Sequence, residues 1–79
     1  MSAVPQECTE LDARGLDCPM PLLKAKRAIN ALESGQFLRV QATDQGSVRD
    51  FEVFCRQSGH RLVSSAEQDG VYTHVLQKA

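Results

Sequence analysis

Residues 13–32 read ARGLDCPMPLLKAKRAINAL. This stretch predicts the first helix, from which the order of the other elements can be worked out. Its prolines indicate the start of a helix, since proline is favoured in the first helical turn. Apolar residues then recur at helical spacing through Leu32, with charged residues on the other side. Ser34 and Gly35 supply a stop signal. The pattern predicts an amphipathic helix over residues 22–32.

The sequence on either side of this helix has the pattern of strands and one further helix. Residues 9–13 and 37–43 alternate between apolar and polar side chains, which is typical of half-covered strands. A second helix is predicted over residues 48–58, where Ser47 and Asp50 resemble a capping box and Gly59 provides a left-handed end. Strands over residues 61–68 and 71–77 flank Asp69-Gly70, a two-residue hairpin signal.

This element order, βαβαββ, predicts an α/β (α+β) two-layer sandwich. Strand-helix-strand units are right-handed and parallel in almost all cases, so the first three strands should share a direction, and the hairpin adds an antiparallel fourth. The expected result is a four-stranded mixed sheet with both helices on one face. A chain of 79 residues buries about 60 % of its surface, enough for one small core. We expect a flexible tail over residues 1–8 and one domain over residues 9–79.

Composition and charge exclude several function classes. Nine Lys and Arg residues against ten Asp and Glu residues give a net charge of −1, so direct stable nucleic-acid binding is not expected. The first eight residues lack the pattern of a targeting signal, and no stretch is long and apolar enough to cross a bilayer, which predicts a cytoplasmic protein without membrane contact. Three cysteines without a C-x-x-C pair argue against a disulfide scaffold or a metal site.

The motif Cys18-Pro19-Met20-Pro21 is the one concentrated chemical feature. With Pro19 at the first helical position, Cys18 becomes the N-cap, and helix-end amides should lower the pKa of its thiol. The prolines restrict the backbone, and Lys24 adds a cation one turn further on. Spacing alone leaves a second interpretation open, in which Cys18 is only a small residue at a strand-to-helix turn.

The sequence around this motif resembles the TusA/SirA family of small sulfur carriers, whose hallmark is C-P-x-P. The resemblance covers residues 9–78. Its residues are Leu11-Asp12-Ala13-x-Gly15-Leu16-x-Cys18-Pro19-x-Pro21, Asp44, Asp50, Phe54-Cys55, Gly59-His60-x-Leu62 and Asp69-Gly70. Family members often have Asp-Pro after the second strand, where this chain has Asp44-Gln45, so the loop should be less rigid here.

The resemblance implies the βαβαββ fold and a role for Cys18 as acceptor of sulfane sulfur from a cysteine desulfurase. Cys18 would carry the sulfur as a transient persulfide, with no other cofactor, to a downstream acceptor protein. Known pathways of the family are tRNA 2-thiouridine synthesis, molybdenum cofactor assembly and other sulfur trafficking. The protein would be a sulfurtransferase-type carrier without small-molecule turnover of its own. The residues expected to support the motif and its thiolate are Gly15, Leu16, Pro19, Pro21 and Lys24.

Partner recognition should depend on surface docking, because a sandwich of this size has no room for a deep pocket. The residues expected to form a docking ring around the motif are Arg14, Met20, Lys24, Arg27, Asp44 and Asp50. The alternative function is a non-catalytic regulatory or interaction module that uses the same surface.

The remaining cysteines and the histidines have less specific interpretations. Cys55 lies on an apolar helix stripe and is expected in the core, and Cys8 is expected in the tail without a role. His60 and His74 are expected at the surface or on a sheet face, because neither is placed to activate Cys18.

Overall fold

A computed structural model describes residues 8–79 and confirms the predicted fold class. Cys8, which we expected in the tail, is the first residue of a strand, and the rest of the predicted tail lies outside the described residues. The elements are β1 (Cys8–Ala13), α1 (Met20–Asn30), β2 (Phe37–Ala42), α2 (Ser47–Ser58), β3 (Arg61–Gln68) and β4 (Val71–Gln77).

The four strands form one mixed sheet in the order β1-β2-β4-β3. β1 and β2 are parallel, and β4 is antiparallel to both of its neighbours, so β3 runs in the direction of β2 as predicted. The sequence did not predict that β4 would lie between β2 and β3. The hairpin at Asp69-Gly70 has positive φ at both residues, 53° and 82°, in agreement with the turn signal.

The core lies between the sheet and the two helices. Leu38, Val40 and Ala42 of β2 are fully buried, which confirms the predicted alternation. Ile29 of α1 and Phe51 of α2 cover them and are also fully buried. Cys55 packs in the same cluster, as expected from its place on the helix stripe.

The start of α1 differs from the prediction by one residue. Pro19 is the N-cap and Met20 the first helical residue, so Cys18 lies just outside the helix instead of capping it. The prediction that Pro19 occupies the first helical position was therefore wrong, and the second proline of the motif, Pro21, lies within the first turn. The helix ends at Asn30, two residues before the predicted end.

The start of α2 also differs, because its predicted capping box does not form. Gly46 is the N-cap and no side chain caps the helix. Ser47 is instead a buried helical residue whose hydroxyl lies 3.0 Å from His74 Nε2. The predicted C-terminal end is confirmed, since Gly59 adopts the left-handed conformation with φ 84°.

His74 lies on the sheet face that α2 covers, so it is fully buried and not at the surface. Its Nδ1 lies 2.8 Å from the Ser65 hydroxyl, and its ring meets that of Phe51 edge to face at 4.6 Å. Burial lowers the pKa of His74 to about 4. Over residues 8–79 we find no helix with the length and apolar character that a membrane span requires.

Candidate functional site

Cys18 lies exposed in the turn that joins β1 to α1, and hydrogen bonds tie this turn to the sheet. The backbone N–H of Gly15 donates to Thr43 Oγ1 at 2.8 Å, just beyond β2. Gly15 has φ 79°, a conformation that favours glycine. Leu16 follows, donates its N–H to the Ala13 carbonyl at 3.4 Å and packs against the core. Thr43 was missed at the sequence level, and no motif pointed to it.

The thiol of Cys18 makes a direct contact with the first turn of α2. Its Sγ donates a hydrogen bond to Asp50 Oδ2 at 3.2 Å. Asp44 lies beside this pair, with ligand atoms of all three residues within 4.8 Å of one another. One carboxylate oxygen of Asp44, Oδ2, is buried without a hydrogen-bond partner within the described part of the chain. The sequence placed both aspartates near the motif but did not indicate that Asp50 would contact Cys18.

This arrangement raises the pKa of the Cys18 thiol, so the predicted lowering was wrong. The largest cause is the hydrogen bond to Asp50, because a thiol that donates to a carboxylate is favoured in its protonated form. Desolvation of the sulfur and the negative charges of Asp50 and Asp44 act in the same direction.

The amides at the start of α1 contribute less to Cys18 than we expected. Pro19 and Pro21 have no N–H, and the Met20 N–H donates to the Asp17 carbonyl at 2.8 Å. Three of the four positions after Cys18 therefore offer the sulfur no donor. This explains why proximity to a helix N-terminus does not yield an acidic thiol here.

Cys18, Asp44 and Asp50 are also the one group of His, Cys, Asp and Glu side chains in residues 8–79 that is close enough to bring three ligand atoms together. The hydrogen bond from the thiol to Asp50 accounts for two of these atoms. No fourth residue of these types joins the group within the described part of the chain. We assign no metal to it.

The predicted docking residues divide between different surfaces. Met20, Lys24 and Arg27 line an open groove of about 360 Å³ between α1 and β1, together with Leu11, Leu23 and Ala28. Met20 and Leu23 are 43 % and 49 % exposed, so the groove offers apolar side chains beside two cations.

Arg14 is not part of this groove. Its guanidinium forms a salt bridge with Asp12 at 2.8 Å, and it lies on the helix-free side of the sheet near Gln41 and Thr73. Within residues 8–79, Cys18 Sγ makes its hydrogen bond to Asp50 and not to Lys24, and Lys24 does not contribute to the shift in the pKa of the Cys18 thiol. Pro21 is buried and anchors the motif to the helix.

Comparison with known proteins agrees with this fold. The family model described as Sulfurtransferase TusA matches residues 9–78. The chain belongs to the TusA family. It is 50 % identical over 70 residues to the sulfur carrier protein TusA of Allochromatium vinosum, covering 89 % of this chain and 92 % of that protein.

Other relatives of the TusA family cover similar lengths. A putative sulfur carrier protein of Neisseria meningitidis serogroup A is 54 % identical over 67 residues, covering 85 % of this chain and 90 % of that protein. The crystal structure of a SirA-like protein from Desulfitobacterium hafniense has a TM-score of 0.79 at 27 % identity, covering 87 % of this chain and 95 % of that one. The predicted resemblance to the TusA/SirA family is therefore confirmed.

Proposed function

We propose that this member of the TusA family receives sulfane sulfur on Cys18 from the persulfide of a cysteine desulfurase and passes it to an acceptor protein. The observation that carries the proposal is the exposed thiol of Cys18 in the C-P-x-P turn of a sulfur-carrier family member. Cys55 is buried, and Cys8 lies in β1 away from this turn. Of the three thiols, Cys18 is therefore the one that is both exposed and part of the motif.

The chemical step is a transfer between two sulfur atoms. The Cys18 thiol loses its proton, and Sγ attacks the outer sulfur of the donor persulfide. A new S–S bond forms on Cys18, the S–S bond of the donor breaks, and its electron pair remains on the donor sulfur, which takes up a proton to become a thiol. No external oxidant or reductant is needed. Delivery to the acceptor repeats the step with Cys18 as the departing sulfur, so the protein needs no bound cofactor.

Protein docking supplies the selectivity in this proposal. The groove formed by Met20, Lys24 and Arg27 suits a donor surface that presents acidic and apolar side chains. Asp44 and Asp50 lie on the α2 side of Cys18 and form a second edge of the docking surface, which suits basic side chains of a partner protein. Arg14 extends the docking surface toward the helix-free face.

The acceptor in this proposal is a protein and not an RNA. A net charge of −1 gives no excess of cations for stable phosphate binding. The pathway served is tRNA 2-thiouridine synthesis, molybdenum cofactor assembly or another sulfur-trafficking route in the cytoplasm. The carrier turns over no small molecule by itself.

The deciding experiment is mass spectrometry of the protein after incubation with a cysteine desulfurase, cysteine and pyridoxal phosphate. We expect a gain in mass of one sulfur atom, located on Cys18 by peptide mapping and lost on reduction. The Cys18→Ser variant should gain none. A folded wild-type protein that gains no sulfur would favour the alternative, a regulatory or interaction module that uses this surface without chemistry.

A further inference from the structure

We propose that Asp50 determines which reagents Cys18 reacts with. Its carboxylate holds the thiol proton in the free protein, and reaction waits until a partner protein draws the carboxylate away. The inference rests on the sulfur-carrier function proposed above and deepens it, because it names how the same thiol is regulated. Asp50 contacts the reacting sulfur itself, so it belongs to the reaction site as well as to the docking surface.

The contact joins two parts of the chain that the core holds in place. Sγ of Cys18 and Oδ2 of Asp50 are 3.2 Å apart although the residues are 32 positions apart in sequence. Phe51, which follows Asp50, is fully buried, and Pro21 of the motif is also buried. Both ends of the hydrogen bond are therefore anchored by neighbouring buried side chains, which makes the contact a property of the fold.

The charges around the sulfur strengthen the hold on the proton. Asp44 adds a second carboxylate, and within residues 8–79 neither Asp44 nor Asp50 forms an ion pair. Asp17 lies in the same turn as Cys18 but is not among the causes of its raised pKa. Lys26 and Arg49 line a separate groove of about 180 Å³ together with Asp50. The result is the raised pKa of the Cys18 thiol described above, and a small thiolate fraction near neutral pH.

The same geometry defines the partner group that would release the thiol. Asp44 and Asp50 are both partly exposed, and their carboxylates lie beside one another. A lysine or arginine side chain of the partner could bind both carboxylates, because either cation carries several N–H donors. With Asp50 engaged elsewhere, the thiol proton passes to solvent and the thiolate attacks the donor persulfide. A small uncharged electrophile has no cationic group that can bind Asp50. It therefore encounters the protonated thiol and reacts slowly.

The test compares one uncharged reagent with the protein donor. Rates of Cys18 alkylation by iodoacetamide and of sulfur loading by a cysteine desulfurase are measured for the wild type, Asp50→Asn and the control Asp17→Asn. Asp17 is an aspartate of the same turn that is not among the causes of the raised pKa. Folding is checked by circular dichroism, and Asp50→Ser serves as a second neutral variant should Asp50→Asn prove unfolded.

We expect Asp50→Asn to be alkylated several-fold faster near neutral pH, with its rate profile displaced to lower pH. Loading by the desulfurase should rise less or fall, so that the ratio of loading to alkylation drops several-fold. Asp17→Asn should leave both rates unchanged. Alkylation of Asp50→Asn at the wild-type rate, or an unchanged ratio, would overturn the proposal. A wild type that gains no sulfur would overturn the carrier function instead, and the alkylation comparison would still decide whether Asp50 holds the proton.

Discussion

Lowering the pH from about 7 to about 4 should destabilise the folded protein through His74, before most carboxylates are protonated. His74 is fully buried between the hydroxyls of Ser47 and Ser65. Burial lowers its pKa from 6.5 to about 4, because the charged ring is costly to desolvate. As the pH falls below 6.5 the unfolded chain gains a proton that the native state does not bind until about pH 4.

The magnitude follows from this difference between the two states. One pKa unit corresponds to about 1.4 kcal/mol, so the difference between 6.5 and about 4 amounts to about 3 kcal/mol of unfolding free energy. The contribution is fully present above the unfolded pKa and is lost progressively down to about pH 4. Small domains have total stabilities of about 5–15 kcal/mol, so the loss should be easy to detect.

Urea denaturation at several pH values between these limits measures the effect. The pKa of His60 is also lowered, by partial burial and then by the charge of Lys78, so His60 acts in the same direction. The His60→Gln variant removes the contribution of His60. Its unfolding free energy should still fall by most of the wild-type amount as the pH is lowered. His74→Gln in the same background should be less stable near neutral pH but much less sensitive to pH. An equal loss of stability with and without His74 would refute the reasoning.

Further outcomes can be measured on the same material. Cys18→Ser should abolish sulfur loading, whereas Cys55→Ala should load at the wild-type rate once folding is verified, because that thiol is buried; loss of loading in both folded variants would require a relay between cysteines. Charge reversal by Lys24→Glu with Arg27→Glu should slow loading, more so at low salt where screening is weak; normal rates at every salt concentration would show that these cations only face solvent. Phe51→Ala should lower the unfolding free energy by about 3–5 kcal/mol, because a fully buried aromatic ring is removed; chemical denaturation measures this, and a loss below about 1 kcal/mol would contradict the assigned core.

The elements of the fold were predictable from the sequence because their signals are local. Apolar spacing located both helices, alternation identified β2, and Asp69-Gly70 marked the hairpin. The position of β4 between β2 and β3 was not predictable in this way, because it depends on which sheet edge the hairpin joins. Burial of His74 follows from that placement, since its register with Val40 brings it under α2.

In the site, too, some features followed from local sequence signals and others depended on tertiary packing. Its location followed from the motif, and parallel pairing of β1 with β2 explains why Cys18 and Asp44 meet, because parallel neighbours end at the same edge of the sheet. The raised pKa of the Cys18 thiol did not follow from the motif, because its largest cause is a hydrogen bond to Asp50 and not the nearby helix N-terminus. The contact of Asp50 with the sulfur required the packing of α2, which no spacing in the sequence reveals.

The balance of charges at Cys18 gives the fold a functional consequence. A thiol that only faced a helix N-terminus would be a permanent nucleophile, open to any electrophile in solution. In this protein, prolines remove two of the nearest N–H donors, and Asp50 from the other helix supplies a hydrogen-bond acceptor. The exposed turn is accessible to a partner, while the pKa of its thiol is raised. The exposed motif leads into α1, whereas the carboxylate that accepts the thiol's hydrogen bond belongs to α2. In the mechanism we propose, a partner that contacts both helices therefore controls when the sulfur reacts.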